Sequence, residues 1–245
     1  MARFVSRILG AVLQAGIAVI LLVRRPRPIH AHGAVFRGEL SMLAGRAPSG
    51  IEAIDRPSVE TREVVARASR AVGLPSWLPD VHGLALRWVH ETGTTDLELS
   101  SSGLGVPWRH VLRPHCLPSS APMSSLLPYR SPRGPVLLCA RTLSTRPLPA
   151  GLAALRAAVE EEPWVLRLYF AAPRGRWHAF ADVRLREPLP EDDPRLRFDI
   201  DRHPLVGAET YPWVRALRQP GYRIAQDGDG GLSDEGSARS RRTRP

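Results

Sequence analysis

Several segments of the chain alternate apolar and polar residues with the two-residue period of a β-strand, in which every second side chain shares a face. Residues 82–90 (HGLALRWVH) and 96–100 (DLELS) alternate on either side of a turn at 91–95, which predicts a β-hairpin. A second hairpin is predicted from 164–173 and 177–189. Other segments predicted as strands are 29–42, 134–142 and 195–200, and 59–75 fits either a strand or a short helix.

Three segments are predicted as helices. Residues 149–162 are rich in Ala, Leu and Glu, which favour helices, and 209–226 are predicted as a C-terminal helix broken by Pro220. The apolar run 8–23 is the third, and the proline-rich stretch 103–134 is predicted as a long loop. Together these elements predict an α+β fold, mainly an antiparallel curved sheet or β-barrel, with an N-terminal apolar helix and a C-terminal helix.

The N-terminal apolar run bears on domain organisation and location. It is shorter than the roughly 20 residues that a membrane-spanning helix needs, and arginines flank it on both sides. Residues 1–25 are therefore predicted as a helix that packs on the protein or associates with a membrane, with a true span as the third alternative. Residues 26–226 are the predicted folded domain, and 227–245, which are almost free of apolar residues, are a predicted disordered tail. We expect a cytoplasmic location, with membrane contact through 8–23 as the alternative.

Charge and cysteine content narrow the function classes. The net charge is +10, and the 34 basic residues are all arginine. These arginines are scattered and no nucleic-acid-binding motif accompanies them, so a genome rich in G and C explains them better than a nucleic-acid partner. Cys116 and Cys139 do not form a CxxC motif, which argues against a zinc ribbon, a redox pair or a disulfide framework.

Two histidines, His30 and His32, follow the arginines at positions 24, 25 and 27 and are candidates for a catalytic or metal-binding role. In a strand they share a face, so they fit a metal pair, a catalytic histidine beside a bystander, or two ordinary strand residues. No third metal ligand is spaced with them, and no HxD box occurs, which makes a metal-dependent hydrolase such as a phosphodiesterase the weakest alternative. A P-loop, a dinucleotide-binding glycine fingerprint and a GxSxG motif are absent.

Five short motifs, taken in their order, resemble the haem-binding core of the catalase superfamily in a shortened form. Each is weak alone, and the order carries the resemblance, which covers about 24–110 and, less specifically, 195–226. Residues 111–190 match no motif. The five are Arg27-Pro-Ile-His30, Arg67-Ala-Ser69, Asp80-Val-His-Gly83-Leu-Ala85-Leu-Arg87, Asp96-Leu-Glu-Leu-Ser100-Ser101 and Arg218-Gln-Pro-Gly-Tyr222.

On the proximal side, the resemblance implies that Tyr222 is the axial ligand of a haem iron. Arg218, four residues earlier on the same helical face, would stabilise the phenolate form of Tyr222. Arg27 and Arg67 would pair with the haem propionates, which suit planar guanidinium groups. Pro220, between Arg218 and Tyr222, is awkward inside a helix.

On the distal side, the resemblance makes His30 the acid–base group that moves a proton between the two peroxide oxygens. Ser69 would hydrogen-bond the other ring nitrogen of His30. The asparagine that catalases carry on this side falls at Ser100 or Ser101, and Ser101 is taken as the site residue. Asp80 has a simpler interpretation, as the cap of the turn before the strand at 82–90.

The chain also departs from the catalase pattern. A serine replaces the distal asparagine, Trp108 is the only nearby aromatic residue for a stack over the haem, and the chain is about half the length of a typical catalase. The expected function is therefore a haem-binding catalase-like protein that acts weakly on a peroxide or hydroperoxide, as a peroxidase or as a peroxide-transforming enzyme. The alternative is a membrane-associated, non-enzymatic catalase-like domain without haem.

Overall fold

A computed structural model of the chain describes residues 33–45, 47–56, 61–90, 93–190 and 198–214. Four predictions lie outside these residues: the apolar helix within 1–25, the start of the first strand, the C-terminal helix beyond 214, and the tail at 227–245. One compact unit spans His30–Tyr211, and every element described below belongs to it.

Eight strands form a closed antiparallel barrel, and two short strands extend one side of it. Along the sheet the order is β10–β6–β7–β5–β4–β3–β2–β1–β9–β8, and β7 also pairs with β8, which closes the ring. The strands are β1 (Gly33–Met42), β2 (Arg62–Arg70), β3 (His82–His90), β4 (Gly93–Ser101), β5 (Met123–Ser124), β6 (Tyr129–Ser131), β7 (Gly134–Thr142), β8 (Trp164–Ala171), β9 (His178–Leu189) and β10 (Glu209–Thr210). Closure removes the exposed edges that an open sheet would present.

The barrel interior is filled by the apolar half of each alternating strand. On β2, for example, Val64, Ala66 and Ala68 are buried in the core. Because side chains alternate, their neighbours Val65 and Arg67 face the opposite side of the sheet. The largest fully buried side chains include Trp164, Phe36, Leu40, Leu84, Leu86, Leu97, Met123, Leu137 and Leu138.

Two α-helices lie wholly within the described part of the chain, and residues 212–214 are also helical. The single turn α1 (Glu52–Asp55) lies in the connection between β1 and β2. The longer helix α2 (Leu152–Glu161) buries Leu155 and Val159, which are four apart and so lie on one face. Arg146 donates from its Nη2 to the carbonyl oxygen of Ala158 at 2.6 Å, which satisfies a backbone acceptor in the last turn of α2.

Most strand predictions are confirmed where residues are described. Both hairpins form, 134–142 is β7, and the ambiguous segment 59–75 contains the strand β2. The proline-rich stretch 103–134 is largely loop, but it contains β5 and β6.

Two boundaries were wrong. The helix predicted from 209 does not begin there, because Glu209 and Thr210 pair with β6 as the short strand β10. Residues 198–200, at the end of a predicted strand, are irregular. In both cases contacts with distant residues outweigh the local pattern.

The connection between β2 and β3 is fixed by Asp80, whose predicted turn-capping role is confirmed. Its carboxylate accepts from the backbone N–H groups of Val72 at 3.0 Å, Leu74 at 3.3 Å and Val81 at 2.7 Å. The buried Arg70 guanidinium lies beside it, with Nε 3.5 Å from the carboxylate. A buried carboxylate that is satisfied by three N–H groups and a cation stabilises the connection instead of offering a reactive group.

Next to this connection, two histidines join β3 to the long loop. The ring Nε2 of the buried His82 lies 3.0 Å from the carbonyl oxygen of His115. Burial lowers the pKa of His82 below its ordinary value, the nearby Arg70 lowers it further, and the hydrogen bond to the His115 carbonyl opposes both. Burial also lowers the pKa of His115.

We expect the protein to lose stability when the pH falls below 6.5, the ordinary pKa of histidine. Because the folded-state pKa of His82 is lower, the unfolded chain binds more protons than the folded chain below pH 6.5. The free energy of unfolding therefore decreases as the pH is lowered. Chemical denaturation measured across this range should show a shallower loss in His82→Gln than in the parent. His178→Gln, at an exposed position on β9, is the matched control and should keep the parent's slope. An identical slope in the parent and in His82→Gln would contradict the assignment.

Candidate functional site

Four small residues form one row across the outer face of strands β1 to β4. Gly33 is paired with Ser69, Ser69 with Gly83, and Gly83 with Ser100. Paired residues on neighbouring antiparallel strands point to the same side of the sheet, so two hydroxyl groups alternate with two positions that lack a side chain. We call these four residues the glycine–serine row.

The row faces outward because its immediate neighbours fill the core. Each member is followed or preceded by a buried apolar residue, and these also pair across the strands. A side chain next to a core position must point the other way. The core neighbours are Ala34, Ala68, Leu84 and Leu99.

Arg67 lies two residues from Ser69 on the same face, between Val35 and Ala85 of the neighbouring strands. Its guanidinium reaches across to β1: a Cβ atom added to Gly33 would lie 2.8 Å from Arg67 Nε. A side chain at position 33 would therefore displace the guanidinium. The missing side chain at Gly33 allows Arg67 to lie flat beside the row.

Of the sequence-predicted site residues, Ser69 and Arg67 lie together on this face, whereas Ser101 does not. Ser69 is buried, with 7% of its surface exposed. Ser101 follows Ser100 and so points to the other side of β4, where its Oγ donates to the Arg113 carbonyl at 2.7 Å and accepts from the His82 N–H at 3.0 Å. The serine hydroxyl that shares the face of Ser69 is therefore that of Ser100.

Beyond Ser100, a loop borders the row. Ser100 pairs with Ser124 of β5, whose Oγ donates to the carbonyl oxygen of Arg109 at 2.8 Å. Trp108, the expected aromatic candidate, is exposed in this loop, and its ring lies 5.8 Å from the Arg113 guanidinium. The ring of Trp108 thus stacks with an arginine at the surface.

The sequence reasoning missed a charged cluster further along the same face. Asp96 is fully buried and accepts two hydrogen bonds from Arg87 at 2.6 Å each, in a bidentate pair. The same carboxylate accepts from the backbone N–H of Asp199 at 2.7 Å and lies 3.1 Å from His203 Nδ1. The hydrogen bond to Asp96 raises the pKa of Arg87. Arg87 and Asp96 are direct partners because His90 pairs with Gly93, a register that the predicted turn at 91–95 does not give.

His203 also lies against this ion pair. Its Nδ1 is 3.1 Å from the Asp96 carboxylate and 3.3 Å from Nη2 of Arg87. The backbone N–H of Asp96 donates in turn to the carbonyl oxygen of His203 at 2.8 Å. The segment from Phe198 to Leu205 is thereby held against β3 and β4.

The other candidate site residues, Arg27, His30, Arg218 and Tyr222, lie outside the described residues, as does His32. Within the described ranges, no group of three His, Cys, Asp or Glu side chains is placed to hold a metal ion. In the same part of the chain, no helix is long and apolar enough to cross a lipid bilayer.

Solved structures supply the comparison that sequence searches do not. Catalase A from Saccharomyces cerevisiae superimposes with a TM-score of 0.61 at 13% identity, over 88% of this chain and 63% of that one. A fungal catalase crystal structure matches with a TM-score of 0.59 at 12% identity, over 88% of this chain and 61% of its own. The chain has a catalase-like fold.

The catalase-like fold rests on shape alone. No protein-family model matches the chain, and no curated protein matches it in sequence. The chain also spans less than two thirds of the length of the catalases that it resembles.

The described residues of this catalase-like barrel are compatible with a haem on the outer face of β1–β4. A flat macrocycle needs a surface without bulky side chains, and the two glycines of the glycine–serine row provide one. Haem propionates need cations, and Arg67 lies beside the row. The size and charge of these described residues thus suit a haem, and the residues predicted for its other side, Arg218 and Tyr222, lie outside the described part of the chain.

Mutation to alanine should destabilise the protein much more at Ser101 than at Ser100. Ser101→Ala removes two hydrogen bonds from a fully buried hydroxyl and leaves backbone groups unpaired, so we expect the free energy of unfolding to fall by about 1–3 kcal/mol. Ser100→Ala, at a partly exposed position next to it, should change stability by less than about 0.5 kcal/mol. Urea denaturation of both variants tests this, and equal losses would contradict the assignment of faces.

Proposed function

We propose that this protein binds haem on the outer face of β1–β4 and acts on a peroxide or an organic hydroperoxide. The observation that supports the proposal most is the glycine–serine row with Arg67 beside it. Motifs that are far apart in the sequence contribute adjacent residues to one small-residue surface on a catalase-like barrel. When bound, haem would supply a redox-active ferric iron to which a peroxide can coordinate.

Two arginines would hold the propionate groups. Arg67 is suited to this role because its planar guanidinium donates two parallel hydrogen bonds to a carboxylate. Arg27 would be its partner, six residues before Gly33 in the chain. Tyr222 would hold the haem iron, and Arg218 would stabilise the phenolate form of Tyr222.

Proton transfer would depend on His30 and Ser69. His30 precedes β1 by three residues, and Gly33 at the start of β1 pairs with Ser69. The Ser69 hydroxyl would hydrogen-bond one ring nitrogen of His30 and so fix the ring. The other nitrogen could then take a proton from one peroxide oxygen and return it to the other.

Ser100 takes the place proposed from sequence for Ser101. Its face matches that of Ser69, and a single residue without a side chain, Gly83, separates the two. A serine hydroxyl has a shorter reach than the asparagine amide of catalases, so a peroxide would be held less firmly. Slow turnover of a peroxide therefore fits this protein better than fast hydrogen peroxide breakdown.

The haem proposal is tested first by an absorption spectrum of the protein expressed with haem precursor. We expect a Soret band with the features of a high-spin ferric tyrosinate, and its loss in Tyr222→Phe because the axial ligand is removed. Tyr169→Phe, on β8, is the matched control and should keep the band. A folded parent protein without a Soret band would favour the alternative, a catalase-like domain without haem.

The distal and propionate roles are tested separately on the haem-loaded protein. Arg67→Ala should weaken haem binding by roughly ten-fold, since it removes a charge-assisted hydrogen bond. Arg62→Ala, at the start of the same strand, is its control. Ser69→Ala and Ser100→Ala should keep the Soret band and slow the consumption of an organic hydroperoxide. Unchanged hydroperoxide turnover in both serine variants would show that the glycine–serine row takes no part in the reaction.

A further inference from the structure

A loop on the barrel surface exposes three apolar side chains close together in sequence. Trp108 is 54% exposed, Val106 49% and Val111 40%. Exposed apolar residues on a folded domain are unremarkable when scattered, but a cluster that includes a tryptophan suggests a binding surface. The loop follows β4 and borders the Ser100 end of the glycine–serine row.

Buried contacts hold this loop in place. Arg109 is buried and donates to the carbonyl oxygens of Leu104 at 3.1 Å, Ala172 at 3.2 Å and Gly175 at 3.0 Å. Trp177 donates from Nε1 to the same Leu104 oxygen at 3.0 Å, and its ring lies 4.7 Å from the Arg109 guanidinium. The loop and the turn between β8 and β9 therefore form one continuous surface.

Three exposed arginines belong to this surface: Arg113 on the loop, and Arg174 and Arg176 on the turn. The Arg113 guanidinium lies over the Trp108 ring at 5.8 Å. Among the described residues, none of the three arginines forms an ion pair with a carboxylate. We call this set the arginine–tryptophan surface; its members are Val106, Trp108, Val111, Arg113, Arg174 and Arg176.

The sequence around this surface carries positive charge with few acidic residues to balance it. From 99 to 159 there is no Asp and no Glu, and from 163 to 181 there is again neither. The first of these stretches contains arginine at positions 109, 113, 130, 133, 141, 146 and 156, of which Arg130 pairs with Glu209, and Arg146 with Glu161 and Glu162. An unneutralised positive surface attracts anionic partners over the range of the Debye length.

We propose that the arginine–tryptophan surface binds the surface of an anionic lipid bilayer. Trp108 would lie at the level of the headgroups, where its apolar ring and polar N–H are both satisfied, and Val106 and Val111 would enter the acyl boundary. The three arginines would contact the negatively charged headgroups. A nucleic acid fits less well, because aliphatic valines beside the tryptophan gain nothing from a phosphate backbone.

The proposal is tested by co-sedimentation of the full chain with vesicles of phosphatidylcholine alone or mixed with phosphatidylserine. We expect binding only to the mixed vesicles, weakened by added salt. Replacing all three arginines with glutamine should weaken binding by roughly five-fold for each, and Trp108→Ser should weaken it as well. Arg184→Gln on β9 and Trp77→Ser, at another exposed tryptophan, are the matched controls and should bind like the parent.

A brominated lipid adds a readout of contact, because it quenches tryptophan that reaches the acyl chains. The quenched fraction should fall in Trp108→Phe, while the Trp77→Ser variant keeps the parent's loss of fluorescence. If the loop and turn variants bind vesicles as well as the parent does, another segment, such as 8–23, makes the contact. That result would overturn the proposal. Binding of a single-stranded oligonucleotide but not of vesicles would also overturn it.

Discussion

Each strand of the closed barrel must place alternate side chains in the interior, and this requirement organises everything on the outer face. Once Ala34, Ala68, Leu84 and Leu99 fill one level of the core, the residues beside them point outward. The glycine–serine row is the direct result. A shift of register by one residue on any of the four strands would bury polar groups and destroy the row together with the core.

This constraint also explains what could be predicted from the sequence. The two hairpins could be predicted because both strands and their turn are contiguous in sequence. Strand β7 could be predicted because turn residues flank its apolar run. The choice between Ser100 and Ser101, which are neighbours on β4, required the pairing partners, because these place Ser100 opposite Gly83 in the glycine–serine row. Within 59–75, the segment Arg62–Arg70 forms a strand because it pairs on both sides, which the local pattern does not reveal.

The ion pair of Arg87 with Asp96 could not be predicted because the turn between β3 and β4 was placed at the wrong residues. The turn was assigned to 91–95, whereas the strands extend to His90 and from Gly93. With the longer turn, Arg87 and Asp96 have no defined relation. With the observed register they are direct neighbours across the hairpin, and their bidentate pair follows from that register. His203 could not be found in this way, because it comes from a segment without regular structure.

That segment has a consequence for how the chain folds. The Asp96 carboxylate that holds the Asp199 backbone lies 103 residues earlier in the chain, and the anchor itself exists only when β3 and β4 are paired. The segment from Phe198 to Leu205 has these hydrogen bonds only where the hairpin is formed, so its order is coupled to that of the barrel wall. A fault in the hairpin would therefore appear as disorder at a distant position in the sequence.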